Sequence, residues 1–322
     1  MVPNKEAIFI IGMHRSGTSV LARSINLLGY HLGEKVLPPA KDNPDGFWEN
    51  DSVVKINDSI LKKLDSGWAD YRALPKNWEQ MDCLNEEKAK ITHLLQSDFG
   101  SSDKILIKDP RLCRTCRLWF PILKERGFEV KIAGTIRHPL EVASSLIRRN
   151  PDVHPAERLS KNEAVLLWIR YLFEGEVNTQ NYQVKTYLFP QFLESGDDFW
   201  NSLLSFLRPE VEELERVKTL VLGNFSSKEK PLRLPETDSE LPKIALSIWG
   251  RMVGNHSGVE ATRQSPEDLR AEISIILESD ALVGEIYQGW KSRTASLFSV
   301  QSKIEAPGQI LKKSLSRIRN SS

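Results

Sequence analysis

The stretch Ile8–Leu21, IFIIGMHRSGTSVL, passes from an apolar run through a glycine-bracketed basic turn into hydroxyl residues that open a helix. A strand stopping at Gly12 and a helix starting near Thr18 leave several backbone N–H groups facing one small space. A helix N-terminus brings unpaired donors and the positive end of its dipole to that space, so the segment reads as an anion cradle. Arg15, Thr18 and Ser19 add side-chain donors. The nucleotide-triphosphate loop reads G-x-x-x-x-G-K-[ST], with lysine on the terminal phosphates. Gly12 and Gly17 keep that spacing, but Thr18 stands where the lysine belongs, and Arg15 is the strongest charge in the loop. The pattern suits an anion shorter than a triphosphate tail. Its bland alternative is an ordinary strand-to-helix turn with an exposed arginine.

A second anion site lies further along. Val130–Thr135, VKIAGT, is another apolar strand and runs into Ile136, Arg137, His138 and Pro139. Proline suits the first turn of a helix, and Leu140, Val142, Ala143 and Leu146 recur at helical spacing after it. Arg137 at the strand's carboxyl end and Ser145 in the helix can both face the crevice above the sheet, where open α/β folds bind ligands. An arginine fork with a hydroxyl is chemistry for a second phosphate.

Two anion sites in this order resemble the sulfotransferase family that uses 3′-phosphoadenosine 5′-phosphosulfate (PAPS). HRSGTS, residues 14–19, is similar to that family's 5′-phosphosulfate loop, and RHPLEVASS, residues 137–145, to its 3′-phosphate motif. The resemblance covers residues 7–150 and extends more faintly to 207. It implies that Arg15, Ser16, Gly17, Thr18 and Ser19 hold the 5′-phosphosulfate, and that Arg137 and Ser145 hold the 3′-phosphate. Three positions depart from the cytosolic small-molecule members. Val20 replaces an adenine-stacking tryptophan, and in YLFPQFL (187–193) Phe189 replaces a tyrosine and Gln191 an acid. Prokaryotic and carbohydrate-modifying members are the closer comparison.

Sulfuryl transfer needs an acceptor oxygen in line with the breaking S–O bond, charge stabilisation on the transferring group, and a base near the alcohol. Lys104–Asp109, KILIKD, reads as a strand with Lys108 at its carboxyl end. The resemblance, through a lysine after a comparable strand, implies that Lys108 stabilises the bridging oxygen; Arg111 is the second choice, for acceptor binding. An Asp109–Arg111 pair closing the strand–helix turn is the structural alternative. Glu49 in DNPDGFWEN (42–50) is the candidate base, beside Phe47 and Trp48, which can desolvate it and stack on a sugar. Against it stands a capping role for Glu49, Asn50 or Asp51 on a helix over 52–64, with His14 and Asp109 as substitute bases. No metal is expected. Cys113 and Cys116 form a lone C-x-x-C inside a helical stretch and read as buried thiols.

The chain has 322 residues, 40% hydrophobic and 27% charged, with net charge +1, so general nucleic-acid binding is not expected. Three cysteines fit a reduced compartment, and the first apolar run is too short for a membrane span or signal peptide; a cytoplasmic location is expected. Strands are expected over 7–12, 104–109, 130–136 and 183–189. Helices are expected over 18–29, 52–64, 84–98, 113–126, 139–149 and 158–179. The alternation predicts an α/β fold, a phosphate-loop-like parallel sheet with helices on both faces, plus a helical C-terminal part. One sulfotransferase-like domain spans 1–290, mainly helical from 197, with a long helix at Gln264–Ser292. A basic, mobile tail of net charge +6 follows at 291–322, and leaves −5 on the rest. Ile310–Ile318 in that tail could lie on an anionic membrane surface or fray in solvent. Trp48, Trp68, Tyr71 and Trp78 sit in long connections, as acceptor-pocket walls or as core.

The expected activity is thus sulfuryl transfer from PAPS to a hydroxyl acceptor, of carbohydrate or glycoconjugate type. A phosphate-loop kinase or triphosphatase and a catalytically inactive nucleotide-binding module are the rivals.

Overall fold

A computed structural model describes residues 5–39, 46–148, 159–189, 197–208, 217–221, 240–257 and positions 271, 273, 274 and 277. Four parallel strands form one sheet: β1 (Lys5–Ile11), β2 (Lys104–Lys108), β3 (Phe128–Ile136) and β4 (Gln183–Leu188), in the order β2-β1-β3-β4. Helices α1 (Thr18–Leu27), α2 (Asp51–Lys63) and α3 (Asn85–Ser97) connect β1 to β2. Helix α4 (Leu112–Glu125) crosses from β2 to β3, and α5 (Pro139–Arg148) with α6 (Lys161–Thr179) leads to β4. Helices α7 (Asp197–Leu207) and α8 (Glu240–Ser257) follow. The expected α/β fold is observed, and the ends of the strands and of the six expected helices shift by at most three residues.

Strand residues alternate between two cores because successive side chains leave opposite faces of a sheet. From β1, Ala7, Phe9 and Ile11 enter one core with Trp119 and Trp168 of α4 and α6, while Ile8 and Ile10 enter the other with Leu21 of α1 and Trp200 of α7. Buried on both faces, β1 reads as a continuous apolar run, as parallel strands do. Trp78 lies in the first core, so it serves packing; Trp68 and Tyr71 pack half-buried against it.

Local chemistry fixes where the helices begin. Asn50 caps α2, accepting from the amides of Ser52 (3.0 Å) and Val53 (3.3 Å). Ser160 and Glu163 form a reciprocal capping box on α6. Pro139 opens α5, where its missing N–H costs nothing. No described helix is long and apolar enough to cross a membrane. The expected helix at 264–292 falls almost wholly, and the basic tail at 291–322 wholly, outside the described residues.

Candidate active site

Parallel strands deliver their carboxyl ends to one edge of the sheet, and there each strand contributes to a single cleft of about 420 Å³. His14 and Arg15 line it beyond β1, Lys108 and Arg111 at the end of β2, Arg137 beyond β3, and Phe189 beyond β4. The chain leaves β1 toward β2 on one side and crosses back to β3 on the other. The cleft therefore lies at the point where strand order reverses.

The loop after β1 is shaped by two left-handed residues, Arg15 (φ 68°) and Gly17 (φ 91°). A bond from the Ser16 amide to the Met13 carbonyl (3.1 Å) tightens it. Gly17 occupies the cap position of α1 and offers no side chain, so none accepts from the first-turn amides. A Cβ at Gly17 would come within 2.1 Å of the Phe189 ring, so glycine is needed for space as well as conformation. Thr18 and Ser19 line the cleft, whereas Ser16 is 1% exposed and lines a separate small cavity behind the loop with Thr135. The Ser16 and Thr135 hydroxyls have no hydrogen-bond partner among the described residues. Ser16 thus offers its backbone to the loop, with its hydroxyl turned to that cavity.

The two expected anion motifs meet. Arg15 Nε donates to Ser145 Oγ at 2.9 Å, and Arg137 Nη1 donates to the Arg15 carbonyl at 3.3 Å. Arg137 also pairs with Glu141 (3.0 Å), stands 4.4 Å over the Phe189 ring, and has its carbonyl held by Trp168 Nε1 at 3.1 Å. Glu141 escaped the sequence reading although its spacing from Arg137, four residues along the start of a helix, is the ordinary signal for such a pair.

Lys108 and Glu49 form the cleft's buried charge pair. Lys108 is 2% and Glu49 7% exposed, and the ammonium and carboxylate are in direct contact. Lys108 also donates to the Phe47 carbonyl at 2.7 Å and lies 3.5 Å from Ser19 Oγ, while Ser19 Oγ donates to the same carbonyl at 3.1 Å. Burial pushes the Glu49 carboxyl above the usual carboxylate range; Lys108 opposes this and Asp109 reinforces it. Because Asn50 is the cap of α2, Glu49 is left for the cleft.

No protein-family model matches the chain, and no curated protein matches it. Among solved structures, it is similar to the sulfotransferase domain from the curacin biosynthetic pathway, at 17% identity and TM-score 0.41, over 76% of this chain and 97% of that one. It is also similar to the sulfotransferase domain from the Synechococcus PCC 7002 olefin synthase, at 14% identity and TM-score 0.43, over 77% and 95%.

The substitute roles sort themselves by geometry. Asp109 is fully buried and accepts from Asn57 (2.8 Å) and from the amide and guanidinium of Arg111 (3.1 and 2.9 Å). Arg111 further pairs with Asp58 at 2.5 Å. These two residues close the strand–helix turn. His14 lines the cleft, packed edge-on against Trp68 (5.1 Å between ring centres) and Tyr171 (5.8 Å). Trp48 lies outside the cleft, with the Arg23 guanidinium 4.3 Å over its ring. Cys113 and Cys116 are buried free thiols, and burial pushes both thiols up, away from the reactive thiolate. Among the described residues no group of three metal-ligating side chains occurs.

Proposed function

We propose that this chain is a sulfotransferase that moves the sulfuryl group of PAPS to a hydroxyl of a carbohydrate or glycoconjugate. One observation carries the reading: Arg15 and Arg137, 122 positions apart, line a single cleft beside the uncapped N-terminus of α1. A nucleotide with a 3′-phosphate and a 5′-phosphosulfate has anions on both sides of its ribose, and needs two anion sites in one cleft. The first-turn amides of α1 with Thr18 and Ser19 would hold the 5′ end, where donors face outward and the helix dipole favours negative charge. Arg137 and Ser145 would hold the 3′-phosphate, and Arg15 would add its charge at the 5′ end.

The donor supplies an activated sulfuryl group; this chain's residues position it and manage charge and protons. The buried Lys108 ammonium beside Ser19 offers a fixed positive charge to oxygen on which negative charge accumulates. Glu49 takes the acceptor's hydroxyl proton. A carboxyl raised toward neutrality is a better base than an ordinary one. Half-buried Trp68, on the cleft wall, gives a sugar face something to pack on.

Calorimetry with 3′-phosphoadenosine 5′-phosphate, ADP and ATP, with and without magnesium, tests this reading. Tight binding of the 3′-phosphorylated nucleotide alone is expected. Preferred binding of ATP with magnesium would assign the cleft to a kinase or triphosphatase instead. Incorporation of label from [35S]PAPS into a panel of sugars, lipids and phenols identifies the acceptor, and tight nucleotide binding without any transfer would indicate an inactive module.

A further inference from the structure

The connection after α2 forms neither helix nor strand over 66–72, yet buried side chains of α4 and α6 donate to carbonyl after carbonyl along it. Arg114 of α4 donates from Nη1 to the carbonyls of Gly67 (3.1 Å) and Asp70 (2.8 Å), and from Nη2 to that of Arg72 (2.8 Å). From α6, Arg170 Nε donates to the Tyr71 carbonyl and the Tyr171 hydroxyl to the Trp68 carbonyl, both at 2.7 Å. Arg114, Arg170 and Tyr171 are all buried. Trp68 is the residue of this stretch that lines the cleft, with its ring edge-on to that of His14.

A guanidinium carries five N–H donors and no acceptor, so burying one demands oxygens around it. Arg114 and Arg170 share one carboxylate, that of Glu174, at 2.8 and 3.8 Å. The carbonyls of the connection supply the other acceptors. Moving the connection would strip a buried cation of its partners, which is costly in the interior. Apolar packing could hold a loop without burying charge. Directional bonds to successive carbonyls do something further, since they fix the backbone on either side of Trp68 in one position.

We infer that Arg114 is a positioning residue for the acceptor: together with Arg170 and Tyr171 it holds Trp68 as a preformed wall. It sets acceptor affinity without touching acceptor or donor, because Arg114 itself does not line the cleft. The inference rests on the acceptor reading above and narrows it. A rigid indole selects an alcohol that presents a flat apolar face, as a pyranose ring does, and spares that ligand the entropy of ordering the wall.

In protein labelled with 5-fluorotryptophan, the 19F line of Trp68 reports the wall directly; its loss in Trp68→Phe picks it out among the 8 tryptophans. A single narrow line is expected in wild type. In Arg114→Lys, which keeps the charge but not the fork, it should broaden or split. Initial rates with 35S-labelled PAPS and the 4-nitrophenyl glycosides of glucose, galactose and N-acetylglucosamine give the kinetic counterpart. A wall in place about a tenth of the time lowers apparent affinity about 10-fold, so KM for the glycoside should rise by about that factor. Over the same comparison kcat, and affinity for 3′-phosphoadenosine 5′-phosphate by calorimetry, should change by less than about 3-fold. Tyr171→Phe loses one bond and no charge. It should also disturb the line and raise KM about 3-fold, and it carries the test alone should Arg114→Lys not fold.

An unchanged KM in a folded variant overturns the inference, and so does a raised KM with an undisturbed Trp68 line. Losses in kcat and nucleotide affinity at constant KM would assign Arg114 to general stability and overturn it too. Wild type that binds the nucleotide yet transfers to none of the glycosides would instead bring down the acceptor reading, and the inference with it.

Discussion

Lys108 ends β2 with its ammonium against the carboxylate of Glu49, at a cleft where both side chains are nearly closed off from water. The same ammonium holds the Phe47 carbonyl at 2.7 Å, so one cation ties the segment before α2 to the sheet. A buried pair of this kind contributes little net stability over an apolar pair but is costly to break from one side.

Lys108→Met is therefore expected to destabilise the protein by about 3–5 kcal/mol in urea unfolding. The double variant Lys108→Met/Glu49→Leu is expected to recover most of that loss while remaining without turnover. A double variant as unstable as the single one would show that packing, not charge, sets the effect.

The raised carboxyl of Glu49 gives the site a pH dependence of determined sign. Burial is the chief cause, so the folded state holds this proton to higher pH than the unfolded chain does. The resulting stability is fully present below the ordinary carboxylate pKa of about 4 and is lost as pH rises through the folded value. The stability of wild type relative to Glu49→Gln should thus fall between acid and neutral pH, while wild-type turnover should rise over the same interval as the base loses its proton. Glu49→Gln should reduce turnover by about 10²- to 10⁴-fold and leave donor affinity nearly unchanged. Urea titrations and rate profiles across pH check both; a pH-independent stability difference would contradict the first, and unchanged turnover the second.

Asn50 does two jobs at the start of α2. It caps the helix, and its Nδ2 donates to the buried Asp98 Oδ2 at 2.6 Å and to the Leu32 carbonyl at 3.2 Å. Asn50→Ala should cost about 1–3 kcal/mol, combining the cap and a buried charged acceptor left short of a donor. Asn50→Asp, a good cap elsewhere, should be no better than alanine because it sets two carboxylates face to face. Melting curves of the two variants decide the order.

Gly17→Ala should lower both stability and nucleotide affinity. Its φ of 91° strains any residue with a Cβ by about 1–2 kcal/mol, and that Cβ meets the Phe189 ring. The companion variant Phe189→Ala in the Gly17→Ala background relieves the collision but not the strain. Partial recovery of stability, read by thermal unfolding, is the expected result.

The sheet was legible because buried parallel strands are unbroken apolar runs, as in β1 and in Ile105–Ile107 of β2. The helix starts were legible where proline or a capping box marks them, as at Pro139 and Ser160. The cap of α2 was not: Glu49, Asn50 and Asp51 all offer an oxygen there. What selects Asn50 includes Asp98, 48 positions away and brought alongside by the fold. The Arg15–Ser145 contact was hidden for the same reason, since nothing local to either motif tells a guanidinium that it meets a hydroxyl 130 positions away. Trp78 carried no sequence mark separating a pocket wall from a core residue, and only the packing around it makes that distinction.

The ladder between β1 and β3 pairs Phe9 with Ile132, Ile10 with Ala133 and Ile11 with Gly134, one rung after another. The loop carrying Arg15 and the turn carrying Arg137 step off the final rungs of this ladder, so their separation is set by backbone register, as marks are on a ruler. Length variation in the intervening helices and connections can reshape whatever approaches from outside. It leaves the distance between those two loops unchanged.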